Sequence, residues 1–246
     1  MARVQGGEGA ARRTVALLSS IFTYGTRLGH VSTNPCQGVE RTSDKRKEFA
    51  LGMKGYAALG LDLKKICGAE RWQFMEATRL LILTGCRKNE IVHLSWDEVD
   101  LPGQMLRFLE RPGRTIKGGL IRPICEAAVE VLQKIAANFQ NEIPETGPVF
   151  PGIVSSSRPY GDFENAWKRR ITVPGLNGRP LTPHLLRHSY ASLAGELGFN
   201  ELVIADLLGH SRKRSVTSGY VKLDEIVMNA ANTVAHHIVA AMKRIP

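Results

Sequence analysis

Apolar residues recur along most of this chain at helical spacing. The first such segment covers 11–28, where Leu17, Ile21 and Leu28, with Leu18 and Phe22 beside them, share one face. Gly29 and then Asn34-Pro35 stop it. Residues 1–9 are glycine-rich and are expected to be disordered. Residues 36–50, with Arg41, Lys45, Arg46 and Lys47, read as a charged linker. The 11–28 helix has an apolar face but no sequential partner, and a lone helix does not hold such a face in water. It reads as the last piece of a domain whose earlier part is missing. The division is placed inside the linker, with residues 1–46 on one side and a single domain over 47–246 on the other.

In that domain the spacing predicts helices at about 53–67, 70–84 and 87–94. Residues 97–124 read as a small antiparallel sheet. Met105-Leu106-Arg107-Phe108-Leu109 and Leu120-Ile121-Arg122-Pro123-Ile124 are strand-like, with turn signals at Pro112-Gly113 and Gly118-Gly119. Helices follow at 125–139 and 160–170. Thr182 and Pro183 suit the N-cap and first position of the next helix, which Gly198 ends. Asn200 caps another, ended by Gly209. A last helix at 223–243 carries Ile226, Ala230, Val234, Ile238 and Met242 along one stripe. The class is mainly α with a small antiparallel β-sheet, an α+β fold without internal repeats.

Composition narrows the partners. The chain has 246 residues, 43% apolar and 23% charged, with a formal net charge of +10. Its isoelectric point near 9.7 raises the expectation of a polyanionic partner, most often nucleic acid. The basic residues cluster, as in Lys168-Arg169-Arg170 and Arg212-Lys213-Arg214. The cysteines, Cys36, Cys67, Cys86 and Cys125, lie far apart and without zinc spacing, so they read as reduced thiols in a cytosolic protein. No apolar run approaches the roughly 20 residues a membrane span needs. Arg12-Arg13 before an apolar stretch faintly mimics a twin-arginine export signal. Ser19-Ser20 and Thr23 interrupt that stretch, and no small-residue cleavage site follows.

Six residues suit metal-free attack on a phosphodiester: Arg87, Lys117, His184, Arg187, His210 and Tyr220. Gly85 breaks one helix and Arg87 opens the next, where free backbone N–H groups favour an anion. Glu90, one turn on, can orient the guanidinium; alone, the pair is also an ordinary helix start. In His184-Leu185-Leu186-Arg187 the i, i+3 spacing brings both side chains to one face. Arginine offers a planar fork for two phosphate oxygens and histidine exchanges protons near neutral pH. The adjacent His188 is expected to point elsewhere and to be structural. Lys117, between the two strands, is placed to protonate a leaving alkoxide, although a turn lysine is commonly just exposed. His210 follows the helix-ending Gly209, as a capping histidine also would. Tyr220 lies among small polar residues, which argues for exposure, whereas a lone tyrosine usually packs in a core.

Taken in order, T-G-x-R-x-x-E at Thr84–Glu90, the hairpin lysine, H-x-x-R at His184–Arg187, Leu208-Gly209-His210 and then Tyr220 resemble the tyrosine recombinase (phage integrase) family over residues 50–225. The step from His210 to Tyr220 is one residue longer than the family's usual step. The resemblance implies the catalytic fold of DNA breaking-rejoining enzymes for 47–246, and the final helix of a core-binding domain for the segment at 11–28. It makes Tyr220 the nucleophile that forms a 3′-phosphotyrosyl link, with Arg87 and Arg187 on the nonbridging oxygens and His210 donating there. His184 would assist proton transfer, Lys117 would protonate the leaving 5′-oxygen, and Glu90 would support them. No metal, ATP or other cofactor is implied. Arg114, Arg212, Lys213 and Arg214 are candidate DNA contacts.

The implied function is site-specific recombination by an integrase of a phage or mobile element. The partners are double-stranded DNA at attachment sites, other copies in a tetramer on that DNA, and accessory DNA-bending proteins, in the nucleoid of the cytoplasm and away from membranes. A type IB topoisomerase shares this chemistry, and a truncated DNA-binding fragment without activity is the alternative of another class.

Overall fold

The computed structural model describes residues 7–39, 50–111, 119–139, 144–175, 178–209 and 223–243. The chain divides into two compact units, Met1–Glu48 and Phe49–Pro246.

In the first unit α1 runs from Gly7 to Arg27, starting four residues earlier than the apolar stripe does. Gly29 takes a positive φ of 75° and His30 N–H donates to the Gly25 carbonyl at 2.9 Å, closing the helix in the manner of a Schellman end. Asn34 folds the following segment back: its amide donates to Ser19 O at 3.0 Å and to Thr23 Oγ1 at 3.0 Å.

The second unit is built around α3 (Trp72–Thr84), which is buried on nearly all sides. Helices α5 (Glu126–Ala136), α6 (Phe163–Arg170), α7 (Pro183–Glu196) and α9 (Leu223–Lys243) pack against it, with the short α4 (Lys88–Val92) following its C-terminal end, while α2 (Gly52–Ile66) packs on α9, and α8 (Glu201–Leu207) on α7 and α9. Asp62 of α2, 5% exposed, accepts Thr172 N–H at 2.7 Å and the Thr172 hydroxyl at 2.9 Å, tying the segment after α6 to the core. The predicted caps form. Thr182 Oγ1 accepts Leu185 N–H at 3.2 Å with Pro183 in the first turn, and Asn200 Oδ1 accepts Val203 N–H at 3.0 Å.

Helix α9 packs on α2 and α3 of its own unit. Its buried stripe is Val227, Ala230, Ala231, Val234, Ala235, Ile238 and Ala241, while Ile226 is 40% exposed. Ala230, Val234 and Ile238 of the stripe read in the sequence are fully buried, Met242 is partly buried, and the reading departs at Ile226 and in omitting Val227, Ala231, Ala235 and Ala241. The small alanines, which a periodicity count weighs lightly, line the close contact. That contact brings backbone to backbone: a Cβ on Gly60 of α2 would lie 2.6 Å from Met242 O.

Strands β1 (Val99–Asp100), β2 (Met105–Phe108) and β3 (Leu120–Pro123) form an antiparallel sheet in that order. Leu106 pairs with Arg122 and Phe108 with Leu120 on the inner face, and Arg107 pairs with Ile121 on the outer. The polarity of β3 is inverted: Ile121 is 58% exposed and Arg122 is 1% exposed.

Candidate active site

The C-terminal end of α3 opens the site. Gly85 closes the helix at φ 58°, a left-handed conformation that suits glycine. A Cβ there would lie 2.6 Å from Cδ1 of the buried Tyr190. The chain then turns into α4, with Arg87 as its N-cap. Glu90 reaches back: Oε2 accepts Arg87 N–H at 2.7 Å and Oε1 accepts Arg87 Nη1 at 2.7 Å. Glu90 is buried, whereas the Arg87 side chain is half exposed. One end of the guanidinium is therefore anchored while the side chain stays open to solvent.

Arg187, on the first turns of α7, points inward. It is 6% exposed; Nη1 donates to Gly85 O at 2.9 Å and Nη2 to Leu208 O at 2.7 Å. The arginine thus joins the turn before Arg87 to the turn before His210. Burial, then the charges of Arg122 and Arg87, push it down to about 10, so it stays protonated at neutral pH.

Arg122, passed over in the motif reading, lies between these groups. Its Nη1 donates to Glu90 Oε2 at 3.0 Å and its Nη2 to Thr84 O at 3.2 Å and to Leu207 O. Burial alone would raise the Glu90 carboxyl. The Arg122 charge and the bonds from Arg87 outweigh it and hold the carboxyl below its ordinary value. The sequence signal was faint: an arginine in a strand whose other inner positions are apolar.

His184, also on α7, is exposed. Its Nε2 lies 3.0 Å from Nε2 of His188, with the rings 4.5 Å apart and near perpendicular. The expectation that His188 points elsewhere is corrected: the i, i+4 spacing stacks the two rings on one face, while Arg187 turns to the core. Cys86 is buried beside the arginines, and burial raises its thiol. Lys117, His210 and Tyr220, with Arg114, Arg212, Lys213 and Arg214, lie outside the described residues. The structure therefore brings together Arg87, Glu90 and Arg187, with His184 on the same helix as Arg187. Among the described residues no three His, Cys, Asp or Glu side chains gather as metal ligands. Among them, too, no helix is long and apolar enough to cross a membrane.

The phage integrase family model matches residues 63–225. The tyrosine recombinase XerC of Roseiflexus castenholzii is 28% identical over 225 residues, which cover 86% of this chain and 67% of that protein. The Tn1549 transposon integrase in complex with a circular intermediate DNA superposes with a TM-score of 0.61 at 14% identity, covering 89% of this chain and 79% of that one. A lambda integrase tetramer bound to a Holliday junction gives 0.59 at 18% identity, covering 86% and 61%. The mainly helical unit with its three-stranded sheet is accordingly the catalytic fold of these recombinases. With a family match over well more than half its length, the chain belongs to the phage integrase family and is a tyrosine recombinase.

Proposed function

We propose that this chain is the site-specific DNA recombinase of a phage or mobile element, cleaving and rejoining strands through a 3′-phosphotyrosyl intermediate. The observation that carries the reading is the arginine cluster. Arg187, buried and oriented by two backbone carbonyls, shares its surroundings with the guanidinium groups of Arg87 and Arg122. Positive charge fixed before the reaction begins suits a phosphate whose nonbridging oxygens gain charge in the transition state.

The Tyr220 hydroxyl attacks phosphorus. A P–O bond to tyrosine forms as the P–O5′ bond breaks, and the electron pair leaves with O5′. Lys117 supplies the proton to that oxygen. His184 assists removal of the tyrosine proton, His210 and the two arginines hold the nonbridging oxygens, and Glu90 keeps Arg87 in place. A 5′-hydroxyl from another strand reverses the step, so the phosphodiester energy is kept in the covalent link. Arg114, Arg212, Lys213 and Arg214 contact backbone phosphates. Binding is to double-stranded attachment sites, as a tetramer, which the tetrameric lambda integrase neighbour supports. Residues 1–46 supply the last helix of a core-binding domain and the linker, and 47–246 the catalytic domain. In support, α1 leaves Leu17, Ile21 and Tyr24 more than half exposed.

The test is a suicide duplex nicked beside the cleavage site, carrying attachment-site DNA from the ends of the parent element. A covalent protein–DNA band on a denaturing gel that vanishes in Tyr220→Phe is expected. A band that persists in Tyr220→Phe would remove Tyr220 as nucleophile.

A further inference from the structure

The proposed roles leave Arg122 unused, yet it is among the largest fully buried side chains of the described residues. Its three bonds reach three separate segments: Glu90 in α4, Thr84 at the end of α3 and Leu207 at the end of α8. Both arms of the site pass through it. On one arm, the Glu90 oxygen that accepts Arg122 also accepts Arg87 N–H, and the other oxygen holds Arg87 Nη1. On the other arm, Arg122 grips the Leu207 carbonyl, and the next carbonyl, Leu208, accepts Arg187. Gly209 then rests on the arginine stem: a Cβ there would lie 2.8 Å from Arg122 Cδ and 2.9 Å from Leu120 Cδ2. This glycine, at φ 63°, delivers the chain to His210.

An apolar side chain would serve a purely packing role here, since the inner-face neighbours Leu106, Phe108 and Leu120 are apolar. Replacing a buried ion pair by apolar groups of similar volume is often neutral or stabilising. A buried guanidinium spanning three segments is therefore hard to explain by stability alone. We infer that Arg122 is a positioning residue for strand cleavage, aiming Arg87 through Glu90 and fixing the turn that leads to His210 through Leu207 and Gly209. The inference rests on the active-site reading above.

The test uses the full chain and a nicked duplex carrying a site selected by this protein from a randomised duplex pool. Thermal stability, DNA affinity and single-turnover covalent-complex formation are measured for the unsubstituted chain, Arg122→Met, Arg122→Lys and the double variant Arg122→Met/Glu90→Gln. Loss of one preorganised donor or a 1 Å misplacement costs about 100-fold, so the methionine variant is expected to form complex about 100-fold more slowly. Its DNA affinity should stay within about threefold, because phosphate contacts made elsewhere are untouched. Lysine, whose three donors radiate from one nitrogen, cannot reach acceptors spread along a guanidinium fork and should recover no more than about a tenth of the rate. The double variant removes the unpaired buried carboxylate, so its stability should recover while its rate does not.

Rate and stability recovering together would overturn the inference, as would any folded Arg122 variant that cleaves within about threefold of the unsubstituted chain. Should Arg122→Met fail to fold, the lysine and double variants carry the same comparison. If the unsubstituted chain gives no Tyr220-dependent band, the active-site reading itself falls, and this inference with it.

Discussion

Replacing Gly85 by alanine tests whether the turn between α3 and α4 is as constrained as its geometry implies. Two effects add. The residue sits at φ 58°, where an L-residue pays about 1–2 kcal/mol. The new Cβ would lie 2.6 Å from Tyr190 Cδ1 and 2.8 Å from Cγ, about 1 Å inside an ordinary carbon contact. Tyr190 is only 1% exposed, so its ring cannot swing away, and overpacking of this kind costs about 1–3 kcal/mol. The sum is roughly 2–5 kcal/mol, a large share of a typical total of about 5–15. At about 2–4 °C per kcal/mol for a domain of this size, Tm should fall by roughly 4–20 °C. The assay is urea denaturation followed by far-UV circular dichroism, with a thermal melt alongside. Gly195→Ala is the control. That glycine is in α7, and its added Cβ meets only Ile204 Cδ1 at 3.8 Å, so alanine should stabilise by up to about 1 kcal/mol. A Gly85→Ala protein within about 0.5 kcal/mol of the unsubstituted chain, the size of an ordinary surface change, would refute the reasoning. The Gly85 carbonyl also accepts Arg187, so the folded fraction should cleave DNA more slowly as well.

Three further outcomes are expected. Because the Glu90 carboxyl is held below its ordinary value of 4.5, its stabilisation is complete above that pH and is lost as pH falls through the depressed value. The stability gap between the unsubstituted chain and Glu90→Gln should accordingly narrow in acid denaturation series below pH 4.5, and a gap independent of pH would contradict this. Asp62→Ala strands two Thr172 donors and should cost about 2 kcal/mol or more in urea melts; a loss below half that would show the donors finding water. Gly60→Val should force α2 and α9 apart at Met242 and lower stability by about 1–3 kcal/mol, and an unchanged Tm would mean that the helices can slide.

The sequence carried the helices because their ends are written in local chemistry. Thr182-Pro183, Asn200 and Gly209 each act within a turn or two of themselves, and each stands where the spacing put it. Arg87 and Glu90 were legible as a pair for the same reason, three residues apart on one short helix. What stayed hidden depends on distant partners. The bond from Arg122 to Leu207 spans 85 positions and that from Arg187 to Gly85 spans 102, and no local pattern announces either. His188 was misread because adjacency to Arg187 was weighed above the i, i+4 relation to His184. The stripe on α9 is wider than its sequence reading because alanine is a weak apolar signal yet the right size for a close helix contact.

The inverted strand has a consequence for how the domain finds its pairing. Strand register is usually written by alternation, and a slip of one residue would exchange the two faces. In β3 alternation alone favours the slip, because it would bury Ile121 and release Arg122 to water. The native register wins only when Glu90, Thr84 and Leu207 are in place to receive the guanidinium. Those acceptors come from α4, α3 and α8, so the hairpin cannot commit by itself. Its alignment is settled by contacts distant in sequence, which form late and slowly. In this fold strand register and the arginine cluster are expected to form together, because the contacts that align β3 also gather the ends of α3, α4 and α8 on which Arg87 and Arg187 are held.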